Sequence, residues 1–221
     1  MVLRNRLIAL LIRIALLVLY SFPVAAYMGE YSNPAVAIAT FSMQIMIILT
    51  VMTAFEIVFN AIDLVRHGVH GVPAGPYMPI ALPLNVFAII SGILYFSALL
   101  PNGAAPAGTY AIIFHVMVIL GPLVDWVFLC EKGTVRFSNA FIAQLYPILY
   151  FIFGYFRTII WDDTPIYNGN MYAYPFLDYL GPNIVLNTVL FFALTLGASA
   201  LAVFLNNVLA GRYGFILKTE D

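Results

Sequence analysis

"YAIIFHVMVILGPLVDWVFLC", residues 110–130, decides how the whole chain is read. Its 21 residues match the roughly 20 that a helix needs to cross a hydrocarbon core. It nevertheless carries His115 and Asp125, and an ionisable side chain facing lipid costs several kcal/mol. Both groups must therefore turn toward protein or a wet cavity. The stretch reads as one span of a helical membrane bundle with a polar interior.

The rest of the chain repeats the pattern. Of the 221 residues, 63% are hydrophobic and 9% charged, and the mean hydropathy is +0.99. Soluble domains are about a quarter charged, so water cannot surround this surface. A net charge of −1 leaves nothing to neutralise a row of phosphates, which excludes a nucleic-acid partner. Six spans are predicted, at about 7–28, 35–61, 82–100, 109–130, 139–160 and 181–207. Turn-forming runs separate them: "GEYSNP", "HGVHGVPAGP", "PNGAAPAG" and "EKGTVRFSN". The expected fold is an all-α, six-helix bundle, a single transmembrane domain over residues 1–221. Arg13 inside the first apolar run favours a retained span over a cleaved leader.

Basic residues orient the bundle. Arg4, Arg6, Arg66, Lys132, Arg136, Arg212 and Lys218 fall on one side of a six-span chain, which the positive-inside rule makes cytoplasmic, with both termini. The other side carries Glu30, Asp162, Asp163 and Asp178, with Trp161 and several tyrosines suited to the membrane surface. The expected location is an integral, multi-pass one: the plasma (inner) membrane of a bacterium, or the endoplasmic reticulum or plasma membrane of a eukaryote.

Helical rise then assigns depths. Arg13, Glu56 and Asp125 each lie roughly 8–9 Å in from the cytoplasmic ends of their spans, with Asn85 and Gln144 in the same layer. A base and two acids there predict a structural ion cluster, since buried charges must pair. Toward the outer face, Thr40 and His115 reach a similar depth, with Arg157 closing span five. Asn183 and Asn187 open span six, and Asp178 precedes it. A hydroxyl needs a base to become a nucleophile, and imidazole is the usual one. His115 and Asp125 are about 15 Å apart along one helix, so they form no dyad. On a helical wheel Ser42 shares a face with Thr53, Glu56 and Asn60, opposite Thr40, which keeps Ser42 as an alternative nucleophile. His67 and His70 supply too few ligands for a metal, and no cofactor is expected.

Several short runs carry a resemblance. In "AYPFLDYLGP" (173–182), Tyr174, Pro175, Phe176, Leu177, Asp178, Gly181 and Pro182 stand in order before the last span. "LNN" with Asn206 and Asn207 closes that span, "IATF" contains Thr40, and His115 precedes Asp125-Trp126 by ten residues. Together these runs resemble the androgen-induced-gene and androgen-dependent TFPI-regulating family of six-span membrane proteins and its bacterial relatives. The resemblance implies a threonine hydrolase that cleaves fatty acid esters of hydroxy fatty acids, with Thr40 and His115 as nucleophile and base. Its substrate would be a membrane lipid or fatty acid ester. Arg157 would attract the substrate carboxylate, Asp178 would orient His115 or the outer loop, and Asn183 and Asn187 are candidate oxyanion donors. Two readings from other classes stay open: a non-catalytic lipid-binding or regulatory membrane protein, and a small transporter with Arg13, Glu56 and Asp125 as a proton relay.

Overall fold

The computed structural model describes residues 3–29, 34–76, 78–103, 105–160 and 181–211, with Pro165, Tyr174 and Asp178. Six helical stretches among them are long and apolar enough to cross a membrane. The protein is therefore an all-α, multi-pass integral membrane protein. Helix α1 is Arg6–Met28, α2 Pro34–Ala37, α3 Phe41–His67 and α4 Met78–Leu94, which runs into a π-helical turn, π1, Tyr95–Leu99. Helix α5 is Thr109–Val124, continued by a second π-turn, π2, Asp125–Leu129; α6 is Asn139–Ile142, α7 Leu145–Ile160 and α8 Ile184–Val208. Glu30, Trp161, Asp162, Asp163, Pro175–Leu177, Arg212 and Lys218 lie outside the described residues.

Helix ends follow local chemistry. The Asn5 side chain accepts the Ile8 N–H and starts α1, because a side-chain oxygen satisfies one of the orphan amides of a first turn. Helix α3 runs to His67, past the expected end at 61, and stops where Gly68 takes φ +74°. That left-handed conformation favours a residue without Cβ. Asp63, Arg66 and His67 look like an exit from the membrane, yet they complete the helix because Arg6 of α1 pairs with Asp63 at 2.6 Å. Helix α4 begins at Met78, before the expected 82, with Pro79 and Pro83 near its start. Pro79 is tolerated because first-turn N–H groups have no helical acceptor, whereas Pro83 lies inside the helix and gives up one of its hydrogen bonds.

Helix α1 packs on α3 and α5, and α4 packs on α5, α3 and α8. The main core surrounds the start of α3, where Phe41 packs tilted or edge-on against Phe87, Tyr146, Tyr150 and Phe191. A second apolar cluster, with Leu82, Val135 and Val203, lies toward the opposite end. The residues at that end are stitched together. Leu3 donates to the Phe128 carbonyl at 3.0 Å and Asn207 to the Val135 carbonyl at 3.3 Å. The Arg6 guanidinium donates to the carbonyls of His67, Gly68 and His70, and so folds loop 68–76 across this end.

Candidate functional site

Span two is not one helix. Its chain leaves α2 at Ala37, unwinds over Ile38–Thr40, and restarts as α3 at Phe41. A helical wheel therefore misplaces Thr40, which is the N-cap of α3 with extended backbone (φ −83°, ψ 142°) and is buried. Unwound backbone inside a membrane bundle must have its polar groups satisfied by neighbours, and here each freed carbonyl has a side-chain donor. The Thr40 hydroxyl donates to Ala37 O at 2.9 Å, Gln44 Nε2 to Ile38 O at 3.0 Å, and Tyr150 OH to Ala39 O at 3.0 Å. Thr40 Oγ1 in turn accepts the Met43 N–H at 3.4 Å. The oxygen thus sits at the positive end of a 27-residue helix, where negative charge is favoured.

Tyr174, the first residue of the Tyr-Pro-Phe-Leu-Asp run, is buried beside this helix start. Ser42, through its side chain and backbone, and the Phe41 backbone hydrogen-bond its phenol. Burial nevertheless holds that phenol above its ordinary range. Ser42 is itself buried, on the face that also buries Thr53, Glu56 and Asn60.

His115 is buried in α5 and held on all sides. Its ring lies parallel to that of Tyr95, 3.5 Å between centroids and 1° between planes, with Tyr27 and Phe114 edge-on at 5.5 and 4.9 Å. Tyr95 is fixed in turn by donating to Pro106 O at 2.6 Å. His115 Nδ1 lies 2.8 Å from Ala111 O. A carbonyl only accepts, so Nδ1 carries the proton and the neutral ring keeps its lone pair on Nε2. That is the tautomer of a general base. Gly92 of α4 lets the helices meet here, for a Cβ on it would fall 2.5 Å from Ile119 Cγ1 and 3.0 Å from His115 O.

Thr40 and His115 thus each have their own backbone partner, and among the described residues no hydrogen bond joins them. Three apolar clefts of about 20, 210 and 230 Å³ are lined by neither. The smallest lies between α3, α4 and α8 beneath Tyr174 and Phe41. Arg157 is buried in α7 within electrostatic reach of Tyr150. Asp178 accepts the Gly181 N–H through its backbone carbonyl at 3.0 Å. Asn183 is exposed at the start of α8 without a side-chain capping bond, and Asn187 is half-buried one turn on.

The layer of Arg13, Glu56 and Asp125 is built differently. Arg13 and Glu56 approach to 3.2 Å between Nε and Oε2, an ion contact without hydrogen-bond alignment. Arg13 also donates to Ala74 O at 2.5 Å, so loop 68–76 reaches into the bundle. Asp125 accepts from Asn85 at 3.3 Å and from the Cys130 thiol at 3.2 Å. Gln144, expected in this layer, instead accepts from Thr195 at 2.7 Å. Gln144 lies in the turn between α6 and α7. At the membrane edge His67 Nδ1 lies 2.6 Å from Asp63, which also binds Arg6.

Sequence reasoning missed Tyr95, Tyr27, Gln44 and Tyr150, which hold the ring and the unwound segment. One signal was present: a threonine directly before a long apolar run is an N-cap pattern. No protein-family model, curated protein or solved structure matches the chain.

Proposed function

We propose that the chain is an intramembrane lipid ester hydrolase with Thr40 as nucleophile and His115 as general base. The observation that carries this reading is the break in span two, which sets a buried threonine hydroxyl on the N-terminus of α3. Broken helices within membrane bundles concentrate at binding sites, and a helix N-terminus stabilises a developing alkoxide. The fixed tautomer of His115 adds a proton acceptor in the same outer half.

In the reaction, Thr40 turns about its Cα–Cβ bond and releases Ala37 O. Its proton passes to His115 Nε2 as Oγ1 bonds to the ester carbonyl carbon. Collapse of the tetrahedral adduct breaks the C–O bond, and the His115 proton goes to the leaving alcohol. Water, deprotonated by the same ring, then attacks the acyl-threonine; its C–O bond breaks, the His115 proton returns to Thr40 Oγ1, and the fatty acid is freed. By the resemblance in "YPFLD" and "IATF", the substrate is a fatty acid ester of a hydroxy fatty acid. Arg157 would attract its carboxylate. Both termini face the cytoplasm in this reading, which puts the site in the outer leaflet.

A second reading, a lipid-binding protein without catalysis, is favoured by the present partners of the two groups. The Thr40 hydroxyl and His115 Nδ1 both serve backbone carbonyls. Hydrolysis of such esters by the reconstituted protein separates the readings. The hydrolase loses at least about 10³-fold in kcat in Thr40→Ala and in His115→Ala and retains activity in Ser42→Ala. Absence of hydrolysis in the wild type would leave the lipid-binding reading, and its survival in both variants would remove Thr40 and His115 from the chemistry.

A further inference from the structure

At the end of the bundle opposite Thr40, a cleft of about 210 Å³ opens between α4, π2 and α8. Leu82, Val86, Ile90, Trp126, Leu201 and Leu205 are among its walls. Its one polar lining residue, Asn85, turns its amide to Asp125. A cavity of about 150 Å³ takes a benzene ring, so this volume accommodates roughly eight carbons of a chain. Leu82 to Ile90 spans about 12 Å along α4, an elongated shape rather than a round one.

Moving an acyl chain from bilayer into an apolar cleft gains no hydrophobic free energy, because lipid tails are already apolar surroundings. Selection has to come from the headgroup. The Lys132 ammonium lies 5.3 Å from the centroid of the Trp126 ring, one wall of the cleft. It donates to the carbonyls of Trp126, in π2, and Cys130, its C-cap. An ammonium has three protons; two serve these carbonyls, and Asp125 lies within electrostatic reach without a hydrogen bond to the third among the described residues. Of the nearby acids, Asp125 is buried and bonded to Asn85 and Cys130, while Glu131 is exposed beyond the helix end.

We propose that this cleft seats one acyl chain of an anionic phospholipid, with the lipid phosphate at Lys132. The tail lies along α4 and α8 toward the membrane centre, and the phosphate sits beside the 131–138 loop. Trp126 fills the boundary between them, as tryptophan does at membrane interfaces. The site is independent of the hydrolase reading and stands whether or not Thr40 is a nucleophile.

The chain has two tryptophans, so Trp161→Phe leaves Trp126 as the sole reporter. That protein is reconstituted in vesicles of phosphatidylcholine and phosphatidylglycerol in which one lipid at a time carries brominated, fluorescence-quenching chains. A basic residue near an anionic headgroup is worth on the order of a fivefold preference. Brominated phosphatidylglycerol is therefore expected to quench Trp126 at about one-fifth the mole fraction required of brominated phosphatidylcholine. Lys132→Gln removes the difference, and Ala198→Trp, read by native mass spectrometry, fills the cleft and abolishes retained lipid. In the Trp161→Phe protein itself, about 0.5 M salt shrinks the preference, which tests the charge without altering Lys132. Equal quenching by both lipids would overturn the proposal, as would a preference that persists in Lys132→Gln or at high salt.

Discussion

Removing the carboxylate of Glu56 tests how the inner layer holds the bundle together. Arg13 is 0% exposed and Glu56 8%, and their charges approach to 3.2 Å. At an effective dielectric constant of about 20, Coulomb attraction at that distance is about 5 kcal/mol. The contact lacks hydrogen-bond alignment, so charge supplies nearly all of its energy. Glu56→Gln keeps the shape and deletes the charge, leaving a buried guanidinium with Ala74 O as its hydrogen-bond acceptor. Truncating one partner of a buried pair costs about 3–5 kcal/mol. Asp125 lies within electrostatic reach of Glu56 and offsets part of this, so about 3 kcal/mol is expected. Arg13→Met should cost a similar amount, and the double variant less than either alone, because no orphan charge remains. Reversible unfolding in bicelles by steric trapping gives all three values. A coupling energy of at least about 3 kcal/mol is predicted; additive single variants, with coupling below about 0.5 kcal/mol, would refute the account.

Three further outcomes follow from particular contacts. Tyr150→Phe strands Ala39 O in the unwound segment and should cost about 1–3 kcal/mol in the same unfolding assay. A Cβ on Gly121 would overlap the ring of Tyr20, whereas nothing lies within 4 Å of one on Gly197. Gly121→Ala should therefore destabilise by about 1–3 kcal/mol while Gly197→Ala stabilises by up to about 1 kcal/mol, read as opposite shifts in thermal midpoint. Arg6→Ala removes the side chain bonded to Asp63, to the last carbonyl of α3 and to two loop carbonyls. Hydrogen exchange in residues 67–76 should rise at least about tenfold while the middle of α3 is unchanged.

The six spans were legible because apolar length and turn residues are both local signals, and each break fell where glycine, proline or asparagine clustered. Depth was partly legible. Rise per residue brought Arg13 to the level of Glu56, and they touch, whereas Gln144, expected in the same layer, is bonded to Thr195 of α8. Thr40 shows the limit more sharply. A continuous helix would set its depth, whereas the chain unwinds just before it, and satisfying that break depends on Tyr150, far along the chain. The coplanar stack of Tyr95 on His115 likewise depends on how α4 and α5 meet through Gly92. Such contacts are tertiary and leave no periodic trace in sequence.

The central claim is that Thr40 forms a covalent acyl intermediate with His115 as its base. Reaction with a fluorophosphonate, followed by peptide mass spectrometry, addresses it most directly. The account predicts one adduct on the hydroxyl of Thr40, absent in Thr40→Ala and suppressed in His115→Ala of unchanged thermal midpoint. No adduct, one on Ser42, or equal labelling without His115 would contradict it.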